Sequence, residues 1–215
     1  MNFKICCIAS IAEAEMAVAH GAAAIGLVSA MPSGPGVIED ETIRRVAAWA
    51  PRMVRTFLLT SRTDPREIAE QARTAGVNTV QIVDALAPGA HERLRELIPA
   101  TRLVQVIHVR DESSVREAIA VAPLVDELLL DSGNPSLAVK ELGGTGRVHD
   151  WALSRRIVEE SGVPVWLAGG LRAENAAEAI AAVRPHGLDI CSGVREQGRL
   201  SADRLARFAA AVSSR

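Results

Sequence analysis

The sequence predicts an α/β fold, a single (β/α)8 TIM barrel, on three observations. Short runs rich in Val, Ile and Leu alternate eight times with segments of helical spacing. That alternation requires parallel strands joined by crossover helices, and eight such units close on themselves. Glycine-rich turns follow the sixth, seventh and eighth runs, where barrels commonly build phosphate sites. No Gly-x-Gly-x-x-Gly follows the first run, which argues against the main rival, an open doubly wound sheet. Residues 1–215 are read as one barrel domain, since no linker, low-complexity tract or composition break interrupts them.

Strands are expected at 3–8, 23–28, 53–59, 79–83, 103–108, 124–130, 163–167 and 188–191, and helices at 11–20, 40–49, 64–75, 90–98, 112–121, 150–161, 173–183 and 201–212. Several helices carry start signals: Asp64-Pro65 as cap and first turn, Asp150 before Trp151, and Ser201 ahead of Asp203. Side chains alternate faces along a strand, so in the first run Phe3, Ile5 and Cys7 should face the helices while Lys4 and Cys6 face inward. Cys6 then lies near the C-terminal mouth, where such barrels do chemistry. A neighbouring ammonium favours a thiolate, making Cys6 a candidate base or nucleophile. The commoner fate of a free cysteine is to be a small buried hydrophobe.

The sixth strand stops on Asp131 and leads through a long polar loop to Gly143-Gly144-Thr145-Gly146. Glycines admit an anion to backbone N–H groups and the next helix adds its positive end, so this loop suits a phosphate unless it is a flexible surface connection. By its length and glycines the stretch 132–148 is also a candidate lid. The seventh strand runs into Ala168-Gly169-Gly170 and the eighth into Cys191-Ser192-Gly193-Val194, small residues where a backbone must approach a ligand. Asp189, inside the eighth strand, is costly to bury alone. It orients a ligand hydroxyl, pairs with Lys4, or is satisfied by other interior donors.

Charge and cysteine content limit the function classes. The formal net charge is −2 without a basic run, which points to neither nucleic acid nor a membrane surface as partner. Cys6, Cys7 and Cys191 form an odd set without metal-ligand spacing. With no signal peptide in view, they are expected to be free thiols in a reducing cytoplasm, with no metal bound. No apolar run approaches the roughly 20 residues of a spanning helix. A soluble protein with a small-molecule partner is expected, as a monomer or a homodimer.

Together the motifs resemble the phosphoribosylanthranilate isomerase family. Lys4-Ile5-Cys6 opens the match, followed by the run from Gly21 to Gly26 and by Val80-Gln81-Ile82. The second half carries more: Leu129-Leu130-Asp131-Ser132, Gly143-Gly144-Thr145-Gly146 with Asp150-Trp151, Leu167-Ala168-Gly169-Gly170-Leu171 with Glu174-Asn175, and Asp189 with Ser192-Gly193-Val194. The resemblance implies a cofactor-free Amadori rearrangement of an N-(5-phosphoribosyl)anthranilate in tryptophan biosynthesis, with Cys6 as general base and Asp131 as general acid. It implies a 5-phosphate held by Gly144, Gly146, Gly169, Gly170, Ser192 and Gly193, and a site completed by Lys4 and Asp189.

The chain also departs from the family pattern. Gly36 stands where the family carries an arginine thought to hold the anthranilate carboxylate, and a charge-assisted contact of that kind is typically worth about 1.5–3 kcal/mol. Ile82-Val83-Asp84 replaces Leu-His-Gly, Cys7 replaces the usual glycine after the base, and Arg195 replaces a frequent glutamate. Arg62 and Arg110 are candidate substitutes for the lost guanidinium or are solvated loop residues, and His108 either lines the mouth or is structural. Two other readings follow: an Amadori-type isomerase of a related phosphoribosyl-amine with a different aglycone, and a barrel that binds a sugar phosphate without catalysis.

Overall fold

Eight parallel strands, β1 (Asn2–Ile5), β2 (Ala24–Val28), β3 (Arg55–Thr60), β4 (Thr79–Ile82), β5 (Arg102–His108), β6 (Glu127–Asp131), β7 (Val165–Leu167) and β8 (Gly187–Ile190), form a closed barrel in chain order. The structure, a computed structural model, describes residues 1–32, 34–132 and 150–213. Closure is made by β1 on β8, with Lys4 opposite Asp189 and Ile5 opposite Ile190. The helices are α1 (Ile11–Ala19), α2 (Asp40–Trp49), α3 (Pro65–Ala75), α4 (Ala90–Leu97), α5 (Glu112–Val121), α6 (Trp151–Glu160), α7 (Ala173–Val183) and α8 (Ala202–Ser213). Among the described residues, none of these helices is long and apolar enough to cross a membrane.

The helix starts follow their sequence signals. The Asp64 carboxylate accepts the N–H groups of Arg66 and Glu67 ahead of Pro65, and Asp150 accepts that of Ala152. Alternation along the strands divides the core in two. Ile5, Leu27, Leu58, Ile82, Leu103, Leu130 and Leu188 pack outward under the helices. Phe57, Leu59, Val104, Val106, Leu129 and Trp166 fill the barrel.

The barrel's N-terminal end is closed by a polar knot. Glu127 accepts from Arg55 at 2.7 Å, from Arg102 at 2.9 Å and from the Trp166 indole at 2.6 Å. A carboxylate this deeply buried needs such partners, and these seal the floor beneath the mouth.

The strand boundaries differ from expectation where backbone chemistry intervenes. β1 stops at Ile5 instead of residue 8, because Cys7 has φ 62°, outside extended geometry. The expected start of the sixth strand is a 3-10 turn at Ala122–Leu124 that contains Pro123, which has no N–H for a ladder. An unanticipated small hairpin, β9 (Arg195–Glu196) and β10 (Arg199–Leu200), turns at Gln197 (φ 49°) and Gly198 (φ 79°), the positive pair that a tight hairpin turn requires.

Candidate active site

Lys4 and Cys6 both face the barrel interior, as alternation predicts. A methyl group built on Gly26 would lie 3.1 Å from Cys6 Sγ and 3.1 Å from Lys4 Cε. Both side chains therefore lean over the same bare stretch of β2, and the absent side chain at Gly26 gives them room. Cys6 is buried, part of the interior cluster that includes Val28, Phe57, Leu59 and Trp166. Its backbone N–H still donates to Ile190 at 2.9 Å, which fixes it against β8.

Of the roles open to Asp189, the pairing with Lys4 is the one observed: Nζ lies 2.7 Å from Oδ2, and both residues are buried. Burial works against the Lys4 charge, but Asp189 and the nearby thiols outweigh it and hold the ammonium above its usual range. Lys4 also lies over the Phe57 ring, 5.1 Å from its centroid, a favourable cation–π arrangement. Asp189 Oδ1 has no hydrogen-bond partner among the described residues.

Asp131 ends β6 on the inner face, buried. Its pKa is raised: burial is the largest influence, Asp189 adds to it, and the Ser132 N–H, His108 and Lys4 only partly counteract them. His108 is its register partner on β5. The His108 ring bonds the Val83 carbonyl through Nε2 at 3.1 Å, while its buried Nδ1 has no partner among the described residues. His108 thus lines the interior at the strand end. Arg62, by contrast, is exposed and pairs with Glu67 at 3.2 Å.

Cys7 requires a correction. It was expected to face the helices, but its left-handed backbone turns the side chain back, and it packs in the interior cluster. Its Sγ lies 2.9 Å from that of Cys191 and 3.5 Å from the Pro35 carbonyl. The loop after β2 presses on it so closely that a methyl on Gly36 would come 2.4 Å from Cys7 Cβ.

The loops after β7 and β8 meet through glycines. Gly169 and Gly170 have φ of 87° and 62°, and a methyl on Gly193 would fall 2.1 Å from the Leu171 carbonyl oxygen. Only a bare backbone fits there. Asn175 braces this turn, donating to the Gly170 carbonyl at 3.0 Å and accepting the Arg172 N–H at 2.9 Å. Ser192 and Gly193 lie in the short 3-10 turn after β8. Gly144, Gly146 and the candidate lid at 132–148 fall outside the described residues, except for Ser132.

Two supporting groups escaped the sequence reading. Gly26 was visible as a glycine inside a strand, a sign of close approach. The second is a clamp. Arg195 donates to the carbonyls of both Cys6 and Cys7 and is held by Glu13 at 3.1 Å. Glu13 in turn accepts the N–H groups of Ala9 and Leu200. Its members are scattered from the turn after β1 to β10 with no local pattern to join them.

Comparison with known proteins gives a consistent result. Residues 3–211 match the family described as N-(5'-phosphoribosyl)anthranilate (PRA) isomerase. The chain is 34% identical over 197 residues to N-(5'-phosphoribosyl)anthranilate isomerase 2 of Methanosarcina mazei, covering 91% of this chain and 86% of the relative. Among solved structures it is similar to the phosphoribosyl anthranilate isomerase of Thermus thermophilus, at 26% identity and TM-score 0.84, covering 100% and 99% of the two chains. It is also similar to a phosphoribosyl anthranilate isomerase in complex with reduced 1-(o-carboxyphenylamino)-1-deoxyribulose 5-phosphate, at 25% identity and TM-score 0.80, covering 99% and 98%.

Proposed function

The chain belongs to the N-(5'-phosphoribosyl)anthranilate isomerase family, and we propose that it catalyses that family's Amadori rearrangement with Cys6 as general base and Asp131 as general acid. The observation that carries this reading is the inward position of Cys6, just past β1, and of Asp131, at the end of β6, around the buried Lys4–Asp189 pair. A general acid must hold its proton at the working pH, and burial holds that of Asp131 above the usual carboxylate range.

In this reading Asp131 delivers its proton to the ribose ring oxygen as the C1–O bond breaks, and the amine lone pair forms the iminium. Cys6 then takes the C2 proton. The C–H electrons become the enolamine double bond and neutralise the iminium, and the enolamine tautomerises to the C2 ketone. The product is 1-(2-carboxyphenylamino)-1-deoxyribulose 5-phosphate, reached in tryptophan biosynthesis without a cofactor. The ligand of the complexed relative is a reduced form of that compound. Gly169, Gly170 and Gly193 offer the bare backbone that a 5-phosphate needs, with Ser192, Gly144 and Gly146 assigned to the same group.

Complementation of a tryptophan auxotroph lacking the isomerase tests this. Growth should return with the wild type and be lost with Cys6→Ala and Asp131→Asn. No growth from well-expressed, folded wild type would overturn it.

The second reading, a phosphoribosyl-amine with a different aglycone, is favoured by one observation. Gly36, against Cys7, brings no guanidinium to the substrate. A panel of N-(5-phosphoribosyl)amines with and without the carboxylate separates the two through kcat/KM.

A further inference from the structure

We propose that Cys7 and Cys191 form a site of reversible oxidation, closing to a disulfide that fastens the turn after β1 to the turn after β8. The two sulfurs are already 2.9 Å apart, nearer than unbonded sulfurs ordinarily approach, and a bond at about 2.05 Å requires only a small further contraction. The residues lie 184 positions apart in sequence, so their meeting is a product of barrel closure. The isomerase chemistry uses neither thiol.

The two thiols are unlike. Cys191 is partly exposed, and its pKa is lowered, first by the hydrogen bond it shares with Cys7 and then by Arg195 against the opposing effect of burial. Cys7 is buried and pushed up, chiefly through the same hydrogen bond. A partly exposed thiol with a lowered pKa beside a buried one with a raised pKa is the arrangement of an attacking and a resolving cysteine.

With hydrogen peroxide as oxidant, the Cys191 thiolate attacks one peroxide oxygen. The O–O bond breaks, hydroxide leaves, and a sulfenic acid forms. Cys7 Sγ then attacks Cys191 Sγ as the S–O bond breaks. The Cys7 proton and the departing hydroxide leave as water, so two thiols have lost two electrons to the peroxide. A dithiol reverses the reaction.

Contraction should move the Cys191 side. The Cys7 turn is held by Arg195 and pressed by Gly36, whereas Cys191 leads directly into Ser192 and Gly193. Oxidation should therefore disturb the phosphate loop and stop turnover. That effect rests on the isomerase reading, while the bond itself does not.

Intact-mass measurement and peptide mapping after peroxide treatment, without reductant, read the bond alone. Wild type and Cys6→Ala should each become lighter by two hydrogens, with the fragment containing position 7 joined to the one containing Cys191, and dithiothreitol should reverse this. Cys7→Ser and Cys191→Ser should form no such link. Loss of the link in Cys6→Ala, or uptake of oxygen by unlinked wild-type thiols, would overturn the site. In parallel, turnover of the wild type should be lost on linking and return with dithiothreitol. Full turnover by linked protein would overturn the effect on catalysis.

Discussion

Gly36 and Cys7 exclude one another's alternatives: a methyl on Gly36 would lie 2.4 Å from Cys7 Cβ and 2.9 Å from its sulfur. Both residues have positive φ, 80° and 62°. The two positions where the chain departs from the family pattern read in its sequence are thus in direct contact, and substitutions at them should be coupled. Gly36→Arg should cost stability through overpacking, about 1–3 kcal/mol, and more from its backbone conformation. Adding Cys7→Gly should recover much of that loss. A double-mutant cycle by denaturant unfolding should give coupling of about 1 kcal/mol or more, and additivity within error would refute the linkage.

The Lys4–Asp189 pair gives a second prediction. At 2.7 Å, with neither side chain appreciably exposed, removing one partner leaves a charge buried and uncompensated, at a cost of about 3–5 kcal/mol. Lys4→Met and Asp189→Leu should each lower the unfolding midpoint sharply. The double variant should be more stable than either single one, and a double variant less stable than both would contradict the argument.

How much of this was legible in the sequence depended on the range of the signal. Alternation and helix starts are local, so α2, α5 and α7 ran over the expected residues and Lys4 and Cys6 faced the expected way. Alternation breaks at Cys7, because one left-handed residue ends it and nothing in its own side chain announces this. The pairing of Lys4 with Asp189 was among the options read from the chain. The meeting of Cys7 with Cys191 and the Arg195 clamp were not, since both depend on barrel closure and on loop paths that periodicity does not encode.

That clamp carries its own prediction. Arg195 ties Glu13 to the carbonyls of Cys6 and Cys7, and it is largely buried. Arg195→Leu should cost about 3 kcal/mol and lower kcat by loosening the turn next to Cys6. The Glu13 pKa is lowered because Arg195 and two backbone N–H groups outweigh burial. Its contribution is therefore present above the unfolded value of about 4.3 and is lost as pH falls through the lower folded one. Glu13→Gln should flatten the acid side of the stability profile in thermal melts taken across pH, and an unchanged slope would refute this.

Asp131 should show the opposite sign. Burial raises its folded pKa above the unfolded value, so between the two the native state holds a proton that the unfolded chain has released. Stability then declines as pH rises from about 3.9 through the folded value. Asp131→Asn removes that decline, so the variant should gain on the wild type across the window while losing turnover, because an amide delivers no proton to the ring oxygen. Matched urea titrations at several pH values measure the first effect and a product assay the second. A variant that tracks the wild type at every pH would mean that the folded pKa of Asp131 is not raised, and the role of general acid would then pass to another group.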